Sequence, residues 1–207
     1  MGDLNSSTRF GNVPDVVVVS ARRLALQGHG GRVGIQGWAM ALMQREHSER
    51  RAPNPLELVE RVVTENEWPY DRTSDQEIAV EVAGRWCDYR MFFAWREDVS
   101  ALHFTCAFDA RIPSEKHREV HGLLAQINEK LWLGHFDLWS EEGLPMFRHS
   151  ILLRGTRGLT VEQLEDLMEV AIGESERFYP AFQYVVWAGK TPSEALAASI
   201  LETVGQA

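Results

Sequence analysis

EIAVEVAGRWCDYRMFFAWREDVSALHFTCAF, residues 77–108, decides the fold of this chain. Ile78, Val80 and Val82 alternate with Glu77, Ala79 and Glu81, the two-residue period of a half-buried strand. Gly84 turns the chain, and Trp86 to Arg96 reads as a long, aromatic-rich strand. Glu97 to Ser100 is a tight connection, after which Leu102, Phe104, Cys106 and Phe108 form the apolar face of the next strand. Strands joined this closely must be antiparallel neighbours. With the connection centred on Asp98 and Val99, Cys106 lies opposite Met91 and Cys87 opposite Ala110. The thiols are then offset by about 13 Å along the strands. A disulfide tolerates about 7 Å between Cα atoms, so both cysteines are expected to be free.

Working outward, Asn54 can cap a helix with Pro55 at its first position and Leu56, Leu58, Val59, Val62 and Val63 on its apolar side. Trp68-Pro69 ends it. On the other flank, Ser114 opens a second helix through about Leu133, with Val120, Leu123, Leu124, Ile127 and Leu131 on one stripe and Gly134 after it. Phe136 to Ser140 and Met146 to Leu153 read as two more strands. Thr160 starts a third helix, Pro180 interrupts the helical pattern, and Thr191-Pro192 opens a last helix to about Val204. The order α-βββ-α-ββ-α, with extra helix at the end, implies an α+β fold with a five-stranded antiparallel sheet and flanking helices.

The N-terminal region has a different character. Residues 1–39 are net basic and hold seven of the 16 glycines, whereas the whole chain carries 21 basic and 30 acidic side chains, a net charge of −9. No strand or helix period persists there. Residues 1–52 therefore read as a poorly ordered extension, with Met40 an alternative start, and 54–205 as the domain. A net negative chain disfavours general nucleic-acid binding. The longest apolar runs, Val16 to Val19 and Met91 to Trp95, are far short of a membrane span. Two cysteines make no disulfide scaffold, and the expected location is the cytoplasm.

Several segments of the domain resemble the bacterial YbjN-domain family: Asn54 to Val59, Glu77 to Asp98, Leu131 to Trp139 (LWLGHFDLW), Phe147-Arg148-His149, and Glu176 to Lys190. The resemblance covers about residues 54–205. It implies a fold similar to the type III secretion chaperones and a role as a sensory-transduction regulator linked to stress response and motility, with no catalytic residues to carry over.

The candidate chemistry is sparse. His117 and His121 are spaced i, i+4, but the glutamate of His-Arg-Glu-Val-His stands one place late for a zinc-protease motif, and spacing supplies no third ligand. Cys106 has no base on its own face, since His103 points to the other side of the strand. Glu141-Glu142 and Asp71/Asp75 are assigned to solvated turns, where paired carboxylates do no acid–base work. Arg22-Arg23 lacks the apolar core of an export signal, and Gly28 to Gly34 lacks the lysine of a phosphate loop. No metal and no cofactor are expected.

Six of the seven tryptophans lie in the domain, and the strand from Trp86 to Trp95 carries large side chains on both faces. Trp86, Tyr89, Phe92 and Trp95 are therefore the candidate partner surface, with burial of the second face under terminal helices as the other reading. The function expected is a non-enzymatic protein-binding regulator or chaperone-like adaptor. Its partner is a protein, a second copy of the chain included, with neither nucleic acid nor membrane. The alternative is a small-ligand sensor or enzyme with a pocket between sheet and C-terminal helices, using His135, Arg148 or His149.

Overall fold

The computed structural model of the chain describes residues 53–204. The proposed extension, residues 1–52, and the alternative start at Met40 lie outside the described residues. The elements are α1 (Leu56–Glu65), β1 (Tyr70–Ser74), β2 (Glu77–Ala83), β3 (Asp88–Arg96), β4 (Ala101–Phe108), a 3-10 turn (Ser114–Lys116) running into α2 (His117–Asn128), β5 (His135–Trp139), β6 (Leu144–Leu152), α3 (Val161–Val186) and α4 (Pro192–Val204). All strand pairs are antiparallel, in the spatial order β1-β2-β3-β4-β6-β5. The fold is α+β, as expected.

The β3–β4 register places Met91 opposite Cys106, and both cysteines are free. Burial pushes the Cys106 thiol up to about 12 and raises that of Cys87. The Asn54 side chain accepts from the Leu56 N–H at 3.0 Å and donates to the Asp75 carbonyl at 2.8 Å, starting α1 and tying it to the β1–β2 turn. Thr160 and Gln163 form a reciprocal capping box at the start of α3.

Five expectations need correction. The sheet has six strands rather than five, because Tyr-Asp-Arg-Thr-Ser forms an edge strand. Both its faces are largely exposed, so it carries no alternating apolar signal. Its anchor is α1: Arg72 pairs with Glu60, and the Tyr70 hydroxyl donates to the same carboxylate at 3.3 Å. β3 begins at Asp88, leaving Trp86 in the preceding turn, and Asp71 sits in β1 rather than in a turn. α2 ends at Asn128, not Leu133, because the Asn128 amide is engaged by β5. Finally, Pro180 does not interrupt α3, which continues through it to Val186.

The helices pack on one face of the sheet. Tyr89, Met91, Phe93 and Trp95 of β3, Leu102, Phe104, Cys106 and Phe108 of β4, and Phe136, Leu138 and Phe147 of β5 and β6 share one core with all four helices. At its centre Phe108 meets the rings of Tyr89, Phe136, Tyr179 and Phe182 edge-on, at centroid distances of 5.2–6.4 Å. Such pairs each add about 0.5–1.5 kcal/mol beyond simple burial. No helix among the described residues is long and apolar enough to cross a membrane.

Candidate functional site

The four aromatic residues singled out from sequence do not form one surface. Tyr89 and Trp95 are 0% and 4% exposed, in the core under the helices. Phe92 is half-buried on the opposite face of β3. A partner surface containing all four is therefore ruled out by strand alternation. Trp86 lies in the β2–β3 turn, stacked on Tyr179 with centroids 6.0 Å apart and planes within 7°. Its indole N–H donates to the Glu176 carbonyl at 3.1 Å, and the Arg85 N–H donates to the Glu176 carboxylate at 2.8 Å. Glu176 is four residues before Pro180, and its carbonyl is the one that a proline nitrogen cannot bond. The indole N–H takes the place of that missing donor, which explains how a proline is accommodated inside α3.

On the sheet face away from the helices, the pairing of β4, β6 and β5 brings polar side chains together. Ser150 Oγ is 2.9 Å from His103 Nδ1, and His103 Nε2 is 3.3 Å from both Arg148 Nη2 and Thr105 Oγ1. Arg148 Nη1 donates to Asp137 Oδ2 at 2.7 Å. By distance alone, Ser150 and His103 could pass for a nucleophile and its base. The electrostatics oppose that role. Arg148 stands where a catalytic triad has its carboxylate, and because its N–H donates to Nε2 the network assigns the imidazole proton to Nδ1, facing Ser150. Burial, then Arg148, His135 and His149, push the His103 pKa down to about 4. An imidazole so reluctant to take a proton is a poor general base at neutral pH. Arg148 is itself neutralised by Asp137, which disfavours an added anion.

The remaining sequence candidates do not converge. Arg148 and His149 are adjacent in β6 and face opposite sides of the sheet, whereas His135 lies opposite Arg148 in the β5–β6 register. Burial, with His135 second, lowers the His149 pKa. His117 Nε2 sits 3.2 Å from the Ile112 carbonyl, and His121 is exposed. Among the described residues no three His, Cys, Asp or Glu side chains are grouped to hold a metal ion.

One feature escaped the sequence reading. The loop from Glu129 to Gly134, between α2 and β5, turns Trp132 wholly into solvent, 100% exposed, with Leu133 beside it at 53%. The loop is held at both ends. Leu131 packs against the core. Asn128 donates to the Phe136 carbonyl at 3.0 Å and accepts its N–H at 2.7 Å, bridging the loop's base. Gly134 has φ +66°, and a Cβ there would stand 2.1 Å from the buried Phe147 ring. Only glycine lets the chain re-enter the sheet this close to Phe147. Assigning the helix through Leu133 hid this loop; Leu-Trp-Leu-Gly after a helix-ending asparagine was the available signal.

An α+β domain with its helices on one face of an antiparallel sheet and a fixed aromatic loop is the class defined here. The chain belongs to the YbjN family, whose model matches residues 55–184 and is described as "Putative bacterial sensory transduction regulator". No curated protein matches the chain in sequence.

Proposed function

We propose that this chain is a non-enzymatic, cytoplasmic regulator that acts by binding another protein, as a signalling component or a chaperone-like adaptor, and that Trp132 and Leu133 are its anchors. The observation that carries this reading is the full exposure of Trp132 on a loop fixed at both ends. A buried tryptophan removes about 150–250 Å² from water, worth about 4–6 kcal/mol gross at about 25 cal/mol per Å². Tryptophan is also among the residues most enriched at interface hot spots. The loop's ordering cost is met in folding, so docking does not incur it again. Family membership and the cationic neighbour of His103 both favour a binding role over catalysis.

The test is Trp132→Ala. Because this side chain is wholly exposed, the variant should keep the wild-type melting curve. Its affinity for the physiological partner, captured by the wild type and measured with both proteins by titration calorimetry, should fall by about 30-fold or more, the equivalent of about 2 kcal/mol. Equal affinities would remove the loop from the interface.

A further inference from the structure

β5 is the last strand of the sheet, so alternate backbone groups point away from β6 toward a missing neighbour. Those groups belong to Phe136 and Leu138. The Phe136 N–H donates to Asn128 Oδ1 at 2.7 Å, and its carbonyl accepts from Asn128 Nδ2 at 3.0 Å. The Leu138 N–H donates to Asp137 Oδ1 at 2.9 Å. Three of the four outward groups at these residues are thus bonded by side chains. The Asn128 amide offers the same donor and acceptor that a residue of an adjoining strand would offer.

We propose that Asn128 and Asp137 close β5 to strand addition, and that the strand they exclude is β5 of a second copy of this chain. An antiparallel copy centred on Asp137 sets Phe136 opposite Leu138 of the second copy and Leu138 opposite its Phe136, N–H to carbonyl. The Phe136 and Leu138 side chains, 2% and 5% exposed, point into their own core, so the pairing leaves those two side chains in place. The two Asp137 carboxylates meet at the centre, each neutralised by its own Arg148 at 2.7 Å. The opposite edge is protected differently: β1 is short, polar and bulged between Arg72 and Ser74. β5 is regular and apolar toward the core, and needs a side-chain guard.

Amide hydrogen exchange on the full-length protein tests this. In the wild type the Phe136 amide should be protected although it lies on an outer edge. In Asn128→Ala it should exchange about ten-fold faster or more, the equivalent of one lost hydrogen bond. Raising the concentration of that variant should restore the protection while sedimentation shows a dimer, because the amide then bonds the second copy. Unchanged Phe136 exchange in dilute Asn128→Ala overturns the guard. A variant that stays monomeric and unprotected at millimolar concentration overturns the second copy as the excluded strand. Should Asn128→Ala lose its native circular dichroism, Asn128→Ser carries the same two measurements, since its shorter side chain withdraws both groups from Phe136 and leaves the edge open. The same two outcomes overturn the proposal there.

Discussion

Replacing Trp86 with Phe should cost stability only while residue 180 is proline. Trp86→Phe keeps an aromatic ring against Tyr179 and removes the N–H that bonds the Glu176 carbonyl at 3.1 Å. With Pro180 in place, no backbone N–H from that position can replace it. The turn is solvent-accessible, with Trp86 42% exposed, so the loss is a net hydrogen bond of about 0.5–1.5 kcal/mol rather than a full burial penalty. In a Pro180→Ala background the alanine has a backbone N–H of its own, which bonds the Glu176 carbonyl along the helix. Losing the indole N–H should then cost less than about 0.5 kcal/mol. The coupling energy of the cycle is therefore about 1 kcal/mol, a shift of about 2–4 °C in Tm for a domain of this size.

Equilibrium denaturation of the wild type, both single variants and the double variant, followed by far-UV circular dichroism, measures the coupling directly. Tryptophan emission is a poor probe because the chain has seven tryptophans. Pro180→Ala itself should stabilise by less than the roughly 3 kcal/mol that proline costs inside an ordinary helix, since the indole has already recovered the lost bond. It also removes part of a buried ring. If Trp86→Phe costs the same in both backgrounds, within the roughly 0.3–0.5 kcal/mol expected of independent sites, the indole is not the substitute donor and the account of α3 fails.

Two further outcomes follow from the site. His103, held at a pKa of about 4 against an ordinary value near 6.5, stays neutral in the folded chain while the unfolded chain takes up a proton. Its contribution to stability should be lost as pH falls from about 6.5 to about 4, about 3 kcal/mol in full and about half that after solvent screening. His103→Gln should flatten that limb of the stability–pH curve, and an identical slope in the variant would contradict the assignment. Gly134→Ala forces a side chain into positive φ and against the Phe147 ring, and should cost at least about 2 kcal/mol in denaturant unfolding. A loss under about 0.5 kcal/mol would mean the loop is not held there.

How much of this was legible in the sequence depended on the range of the interaction. β2 and β4 were readable because half-burial writes a two-residue period into Ile78, Val80, Val82 and Leu102, Phe104, Cys106. The caps at Asn54 and Thr160 were readable because their partners lie two and three residues away. β1 was not, since an edge strand exposed on both faces needs no apolar alternation. Nor was the passage of α3 through Pro180, whose substitute donor stands 90 residues from Glu176 in the chain. The Ser150–His103 pair, 47 residues apart, appears only once β4 is paired with β6 in a particular register. Its chemistry needed a further step, because distance suggests a dyad while the positive charge of Arg148 opposes it.

The irregular places in the domain share a physical logic that bears on function. Each leaves a backbone group without its regular partner, and a side chain from elsewhere supplies one: Trp86 for the Glu176 carbonyl, Glu176 for the Arg85 N–H, Asn128 for both groups of Phe136, Asp137 for the Leu138 N–H. At the half-buried Phe136 and Leu138 groups an unpaired partner costs about 1–3 kcal/mol, and at the solvent-accessible Trp86 turn about 0.5–1.5 kcal/mol, so each junction is fixed by the penalty for opening it. Asn128 therefore performs two tasks with one amide. It closes the edge of β5, and it fixes the base of the loop that presents Trp132. Removing it should loosen both at once, raising self-association through the edge while weakening partner binding through a loop that Trp132 itself still occupies. Trp132→Ala should do only the second. A variant pair that separates in this way would show that rigidity at Asn128, rather than contact with Asn128, supports docking; equal partner affinity in Asn128→Ala and the wild type would show that the loop holds its shape without it.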